Sequence, residues 1–479
     1  MGNPSRLYTR AMRALCTVST ASIKQSEGKT LYRRLSALGD SSKNAVATAS
    51  KKQSKGKTLY RRLSALGDSS KSAGQELTRW VGEGKAVKKW EIERIIKELR
   101  KFKRFHHALE LSEWMDKRGM NLSYGDYAIR VDLLSKTRGL ESAESYFTGL
   151  PHSAKNQYSY GALLNCYCKD KLTEKAEALF SKMKELNTNL TLAYNNMMTL
   201  YITTGHPEQV PSLLQDMKEN GKKPDTFTCN ILMNSYALMK DMEGVERVVN
   251  EMIKTGEIIS DWTTHTNLAA IFIQAGLFDK ANATLKLVEE KHMVRCRIAY
   301  HFLITLYAGT GNLAEVHRIW QQLKSAFSKT TNLSYLVMLQ ALARLDDLGA
   351  TKELFNEWEK NCSSYDMRLT NVLLGVYLRR DMIQEAEAVK EEATKRGELN
   401  CKTLVMFMEW YLKNSDTGLA LSYLKGIALK SHYRVELRTK QEELQAFVKY
   451  IKEKEDVTGA KELLQTLEKL KCRVNQEDS

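Results

Sequence analysis

The residues best suited to chemistry in this 479-residue chain are nine histidines and eight cysteines, and their spacing supports neither a metal site nor a catalytic dyad. His106, His107, His265, His292, His301 and His317 have no cysteine or carboxylate at metal-ligand spacing, and no C-x-x-C exists to complete a deaminase-type zinc motif. Cys166 and Cys168 sit close together, but both fall on one predicted helix without ligand spacing. The thiols are expected to be free and the compartment reducing. No catalytic residue, metal, cofactor or small-molecule substrate is therefore expected. The remaining chemistry is non-covalent: amides that can hydrogen-bond, and cations that can pair with anions. Asn195 and Asn230 are such amides, and each also suits the start of a helix. Lys101, Lys136, Lys169, Arg344, Arg379 and Lys413 are the cations, and near a helix C-terminus each would complement the helix dipole by about 0.3 to 1 kcal/mol.

What must position them is a repeating scaffold. Bulky apolar or aromatic residues recur at Leu99, Leu134, Tyr167, Tyr201, Tyr236, Phe272, Tyr307, Leu342, Tyr377, Tyr411 and Ile451, at steps of 33 to 36 residues and a last one of 40. Nine residues after each stands a small one: Ala108, Ala143, Ala176, Val210, Val245, Ala281, Val316, Thr351, Ala386, Ala420 and Ala460. A fixed period of this length marks units too small to bury their own apolar faces, which must stack on their neighbours. Within one unit, Tyr194, Met197, Met198 and Tyr201 share a helix face, Thr204-Gly205 breaks it, and Pro207 suits the first turn of a second helix carrying Val210, Leu214 and Met217. Tyr300 to Leu323 repeats the plan. The six cations stand two residues after the bulky column, in six of the eleven units. The fold expected is all-α: a right-handed α-solenoid of about eleven helix-turn-helix repeats over residues 90–472, with a tail at 473–479.

Charge is concentrated ahead of that array. Of the formal net charge of +16, residues 1–72 carry +12, from 15 Lys and Arg against 3 acids, so the remaining 407 residues are nearly neutral. Arg6, Arg10 and Arg13 oppose Leu7, Ala11, Leu15 and Val18 on a basic amphipathic helix in an acid-poor leader. This composition reads as a targeting presequence to the mitochondrial matrix, with a chloroplast transit peptide as the alternative. Residues 28–43 reappear letter for letter as 56–71; their Lys, Gly and Ser content reads as loop, making 1–74 a presequence with a flexible, duplicated segment and 75–89 a lead-in. No apolar run approaches the roughly 18 residues of a membrane span, so no membrane insertion is expected.

The repeat resembles the pentatricopeptide repeat family, in its pure-repeat plant-organellar subclass. The likeness lies in the aromatic start, the late lysine of the first helix, the Gly turn, the small second-helix residue, the late Met and a Gly-x-x-Pro-Asp linker. Tyr194, Gly205, Val210, Met217 and Gly221-Lys222-Lys223-Pro224-Asp225 show it, as do Tyr160, Lys169, Ala176 and Met183. The resemblance implies binding of single-stranded RNA at one base per repeat, read by two side chains. The first reading position carries Asn195, Asn230, Thr266 and Asn371; the second carries Asp225, Asp261, Cys296 and Asn400. By resemblance, Asn195 with Asp225 and Asn230 with Asp261 favour uridine, Asn371 with Asn400 accepts a pyrimidine, and Leu192 and Phe227 stack on the base faces. The six-cation column would face the RNA phosphates, against the helix-dipole reading above. The pairs Glu93/Ser123, Ala128/Asn156, Gly161/Leu190, His301/Thr331 and Leu336/Asp366 depart from the family's reading pairs.

The expected function is thus a non-enzymatic organellar RNA-binding repeat protein of mitochondrial RNA metabolism or translation. The alternative is a structural subunit of a ribonucleoprotein such as the mitochondrial ribosome, contacting ribosomal RNA, or a protein-binding scaffold. The last repeat ends a few residues before Ser479, so no appended catalytic domain is expected.

Overall fold

A computed structural model gives the fold and describes residues 59–64, 66, 72–188, 190–255, 262–292, 297–397, 399–414 and 416–429. The amphipathic leader, the first duplicated copy, Asp261, Cys296, the eleventh unit with Ile451 and Ala460, and the tail lie outside the described residues. Among the described residues the secondary structure is helical, with no strand. The chain divides into two compact units, up to Asn267 and from Leu268.

The first unit holds α1 (Leu59–Ser64) and α2 (Ala73–Gly82), then five hairpins. These are α3/α4 (Lys89–Lys101, Phe105–Lys117), α5/α6 (Tyr124–Arg138, Leu140–Thr148), α7/α8 (Gln157–Lys169, Thr173–Glu185), α9/α10 (Thr191–Thr204, Gln209–Glu219) and α11/α12 (Thr226–Leu238, Met242–Thr255). Helix α13 (Trp262–Gln274) spans the division. The second unit continues with α14 (Phe278–His292), α15/α16 (Arg297–Gly309, Leu313–Ala326), α17/α18 (Asn332–Arg344, Leu348–Asn361), α19/α20 (Met367–Arg379, Ile383–Arg396) and α21/α22 (Cys401–Lys413, Thr417–Leu429). Each unit is an all-α stack of helical hairpins.

The two sequence columns explain why the hairpins close. Ala108, Ala143, Ala176, Val210 and Val245 in the first unit, and Ala281, Val316, Thr351, Ala386 and Ala420 in the second, are all fully buried. A small side chain there lets helices cross closely. Leu99, Leu134 and Tyr167, then Phe272, Tyr307, Leu342 and Tyr377, are buried as filler, while Tyr201, Tyr236 and Tyr411 are half-buried. Short polar side chains start the first helices: Ser123, Asn156 and Asp225 accept backbone N–H bonds at the openings of α5, α7 and α11.

Two local expectations fail. The second duplicated copy is not loop throughout, because Leu59–Ser64 is helical. Leu59 and Leu63, spaced i, i+4, form one face that is buried as α1 packs on α2, and Arg62 forks onto Glu83 with both nitrogen-oxygen distances 2.8 Å. Helix α10 opens at Gln209 rather than Pro207, so Pro211 becomes its third residue, where a backbone donor would lack an intrahelical partner anyway.

Candidate nucleic-acid interface

Tyr194 is fully buried in the stack, which leaves the next residue, Asn195, at the seam with the following hairpin. Its Nδ2 donates to Asp225 Oδ1 at 3.2 Å, and its Oδ1 accepts from the Thr228 hydroxyl at 2.8 Å. Asp225 caps α11 by accepting the Thr228 N–H at 2.8 Å, and Thr228 Oγ1 accepts the Asp225 N–H at 3.1 Å. The two expected reading residues are thus joined in one preorganised node. Asp225 is exposed.

The second unit repeats this node. Asn371 Nδ2 donates to Asn400 Oδ1 at 3.2 Å, Thr403 Oγ1 donates to Asn371 Oδ1 at 2.7 Å, and the Thr403 N–H reaches Asn400 Oδ1 at 3.0 Å. His301, whose pairing with Thr331 departs from the reading pattern, nonetheless occupies the same node: its Nε2 lies 2.9 Å from Ser334 Oγ, which is 3.1 Å from Thr331 Oγ1. The third member, a hydroxyl three residues after the cap, is absent from the two-residue pairing. Its trace in the sequence is the spacing Asp225-x-x-Thr228, Thr331-x-x-Ser334 and Asn400-x-x-Thr403.

Other expected reading residues are not assembled this way. Asn230 is half-buried, its amide oxygen is buried without a hydrogen bond, and its partner Asp261 lies outside the described residues. Thr266 is fully buried and donates its hydroxyl to the Thr263 carbonyl at 3.0 Å, within its own helix.

Leu192 is exposed and Phe227 half-buried, as a stacking surface requires. Each unit has further residues of this kind. At the same second helical position, Trp90 and Tyr158 in the first unit and Ile298 and Leu333 in the second are also large, apolar and exposed. Exposed apolar residues recurring at one register are the surface on which planar bases can lie.

The six cations divide. In the first unit Lys136 Nζ lies 2.6 Å from Asp132, Lys169 Nζ 3.7 Å from the same carboxylate, and Lys101 3.9 Å from Glu98. Burial, only partly offset by Asp132, pushes the Lys136 ammonium below its ordinary range. In the second unit Arg344, Arg379 and Lys413 are exposed and have no ion-pair partner among the described residues.

Family models match the chain as PPR repeat over residues 158–188 and 227–257 and as PPR repeat family over 189–238. Three Arabidopsis thaliana proteins are similar over most of its length. Pentatricopeptide repeat-containing protein At1g02370, mitochondrial, is 42% identical over 397 residues, 82% of this chain and 74% of that protein. Pentatricopeptide repeat-containing protein At4g01990, mitochondrial, is 42% identical over 398 residues, 82% and 79%. Large ribosomal subunit protein mL101 (rPPR4) is 43% identical over 396 residues, 82% and 81%. With hairpins of the expected period and relatives of this identity across four fifths of the sequence, the chain belongs to the pentatricopeptide repeat family.

Proposed function

We propose that the chain is a non-enzymatic mitochondrial RNA-binding protein, delivered to the matrix by its basic amphipathic leader. The observation that carries this reading is the Asn195–Asp225–Thr228 node, repeated as Asn371–Asn400–Thr403. Each node fixes an amide beside an acceptor, and an exposed apolar row at Leu192 and Phe227 offers faces for stacking. Such a set can read the edge of one unstacked base, at about 1 to 3 kcal/mol of stacking per base. Its partner is single-stranded RNA, with Asn195/Asp225 favouring uridine and Asn371/Asn400 a pyrimidine.

A second reading is supported by the likeness to mL101, named as a large ribosomal subunit protein. Glu93, Ala128 and Gly161 place no free amide at the reading position of the first three hairpins. Few reading nodes suit a ribonucleoprotein subunit on ribosomal RNA better than selection of one transcript.

The test is oligouridine binding at low salt by the parent and by Asn195→Ala with Asn371→Ala. The expected result is a loss of about tenfold, from two reading hydrogen bonds at about 0.5 to 1.5 kcal/mol each; unchanged affinity removes these residues from the interface. Crosslinking in isolated mitochondria separates the two readings: dispersed uridine-rich footprints support the first, and ribosomal RNA footprints the second.

A further inference from the structure

We propose that a cleft between the first two hairpins of the array is a docking site for a protein partner, held by one acidic side chain of that partner placed against the buried guanidinium of Arg130. The site is separate from the base-reading residues and does not rest on them.

Arg130 stands where other hairpins are closed by apolar residues. It lies four residues before the bulky column, a place held by Leu163, Met197 and Leu232 in the first unit and by Leu303, Met338 and Leu373 in the second, all buried. The residue it meets changes with it. Ser112, four residues after the small column of α4, sits where Phe147 and Phe180 fill the next two hairpins. Arg130 and Ser112 are both buried, so a charge and a hydroxyl take up a seam that apolar side chains fill elsewhere. Replacing a buried ion pair by apolar residues of similar volume is often neutral or stabilising, so closing the seam does not by itself call for this exchange.

The guanidinium is fixed in place. Its Nε donates to Ser112 Oγ at 3.0 Å, Nη2 donates to the Ser112 carbonyl, and Nη1 donates to Asp116 Oδ2 at 2.6 Å. These bonds use three of its five N–H groups. Asp116 is exposed, so another carboxylate can take its place on Arg130 without opening the core. Arg130 lies 5.4 Å from the ring centroid of Tyr146, whose hydroxyl is buried without a hydrogen-bond partner among the described residues. Burial raises the Tyr146 phenol above its ordinary range and keeps it a donor. Both residues line a cleft of about 820 Å³ formed by α4, α5 and α6. A buried donor left without an acceptor costs stability, and a carboxylate with two oxygens can serve Tyr146 and Arg130 together.

The rim selects the class of partner. Lys117 and Arg138 stand with Arg130 against Glu113, Asp116 and Glu141, three charges of each sign, and Arg138 is already paired with Glu113 at 2.7 Å. A polyanion such as RNA would meet three carboxylates here. A polypeptide that presents one Asp or Glu beside a Lys or Arg matches both signs: its carboxylate replaces Asp116 on Arg130, and its cation pairs with the displaced Asp116. The position on the helix agrees. At 3.6 residues per turn, Arg130 lies about 200° around α5 from Ala128, which holds the base-reading place, so the two side chains leave opposite faces of the helix.

The experiment titrates the full chain, Arg130→Met and Tyr146→Phe with the peptide acetyl-Lys-Glu-Lys-amide, with its Gln counterpart and with inorganic phosphate, by calorimetry. Methionine holds the same place at Met197 and Met338, and because Asp116 is exposed the substitution strands no buried charge. The parent is expected to bind the Glu peptide about tenfold more tightly than the Gln peptide, the effect of one charge-assisted hydrogen bond. Arg130→Met should remove that preference, and Tyr146→Phe should weaken Glu-peptide binding by about two- to tenfold. Equal affinity of the parent for the two peptides, no binding at millimolar peptide, or tighter binding of phosphate than of the Glu peptide overturns the assignment. So does a fall of oligouridine affinity in either variant, which would make the cleft part of the RNA surface. If Arg130→Met does not fold, an unchanged Glu-peptide affinity in Tyr146→Phe overturns the site by itself.

Discussion

Tyr201 donates its phenol hydroxyl to the Glu177 carboxylate of the preceding hairpin, 3.0 Å away. In the second unit Tyr307 reaches Glu289 at 2.5 Å and Tyr411 reaches Glu387 at 2.8 Å, each again from the end of a first helix to the second helix before it. The bulky column is therefore more than filler: at Tyr201, Tyr307 and Tyr411 it links consecutive layers with a directed bond. Burial, reinforced by Glu177, pushes the Tyr201 phenol up to about 12, so the donor stays protonated at any physiological pH.

Tyr201→Phe keeps the ring and removes the donor. A net hydrogen bond contributes about 0.5 to 1.5 kcal/mol, so the variant is expected to lose stability in that range, toward the lower end because the residue is half-buried. Urea unfolding with an unchanged m value checks it, since only the midpoint moves when the exposed surface is the same.

The small column limits how closely the helices approach. Ala176 is fully buried in α8, whereas valine fills the same place at Val210 and Val245. Ala176→Leu is expected to cost about 1 to 3 kcal/mol by overpacking, and Ala176→Val less. Thermal or urea denaturation of the two variants tests the order; equal costs would mean that the site has room the burial does not suggest.

The hairpin fold was legible because its determinants are local and periodic. Ala108, Ala143 and Ala176 recur at nearly one step, and each must be small for the same crossing. The pairing of Asn195 with Asp225 was legible through family resemblance, but the Thr228 hydroxyl that completes the node was not, because threonine three residues into a helix has ordinary local reasons to be there. Helix Leu59–Ser64 was hidden because two leucines in a Gly-, Ser- and Lys-rich stretch carry too little periodicity; the burying surface comes from α2. The column of six cations looked uniform in sequence. The structure divides it, since whether Lys136 faces an RNA phosphate or Asp132 depends on a carboxylate four residues earlier turned toward the same helix end.

His301 gives the most direct readout of a node's interior. It takes the place held by Asn195 and Asn371 in their nodes, is buried, and lies 2.9 Å from the Ser334 hydroxyl. Burial, with a smaller contribution from Arg297, pushes its pKa down to about 4 from an ordinary 6.5. The imidazole is therefore neutral in the folded protein at pH 7. As pH falls from 6.5 toward 4, the unfolded chain takes up a proton that the folded chain refuses, so stability is complete above 6.5, declines through this window and levels off below it. The expected loss is about 2 to 3 kcal/mol at pH 4, at about 1.4 kcal/mol per pKa unit. His301→Asn places an amide like those of Asn195 and Asn371 beside Ser334 and has no proton to gain. Urea midpoints at pH 7 and pH 4.5 should therefore differ less in the variant than in the parent. An equal acid sensitivity in both would mean that the imidazole takes up its proton over the same pH range folded and unfolded, and that the Ser334 contact does not require its neutral form.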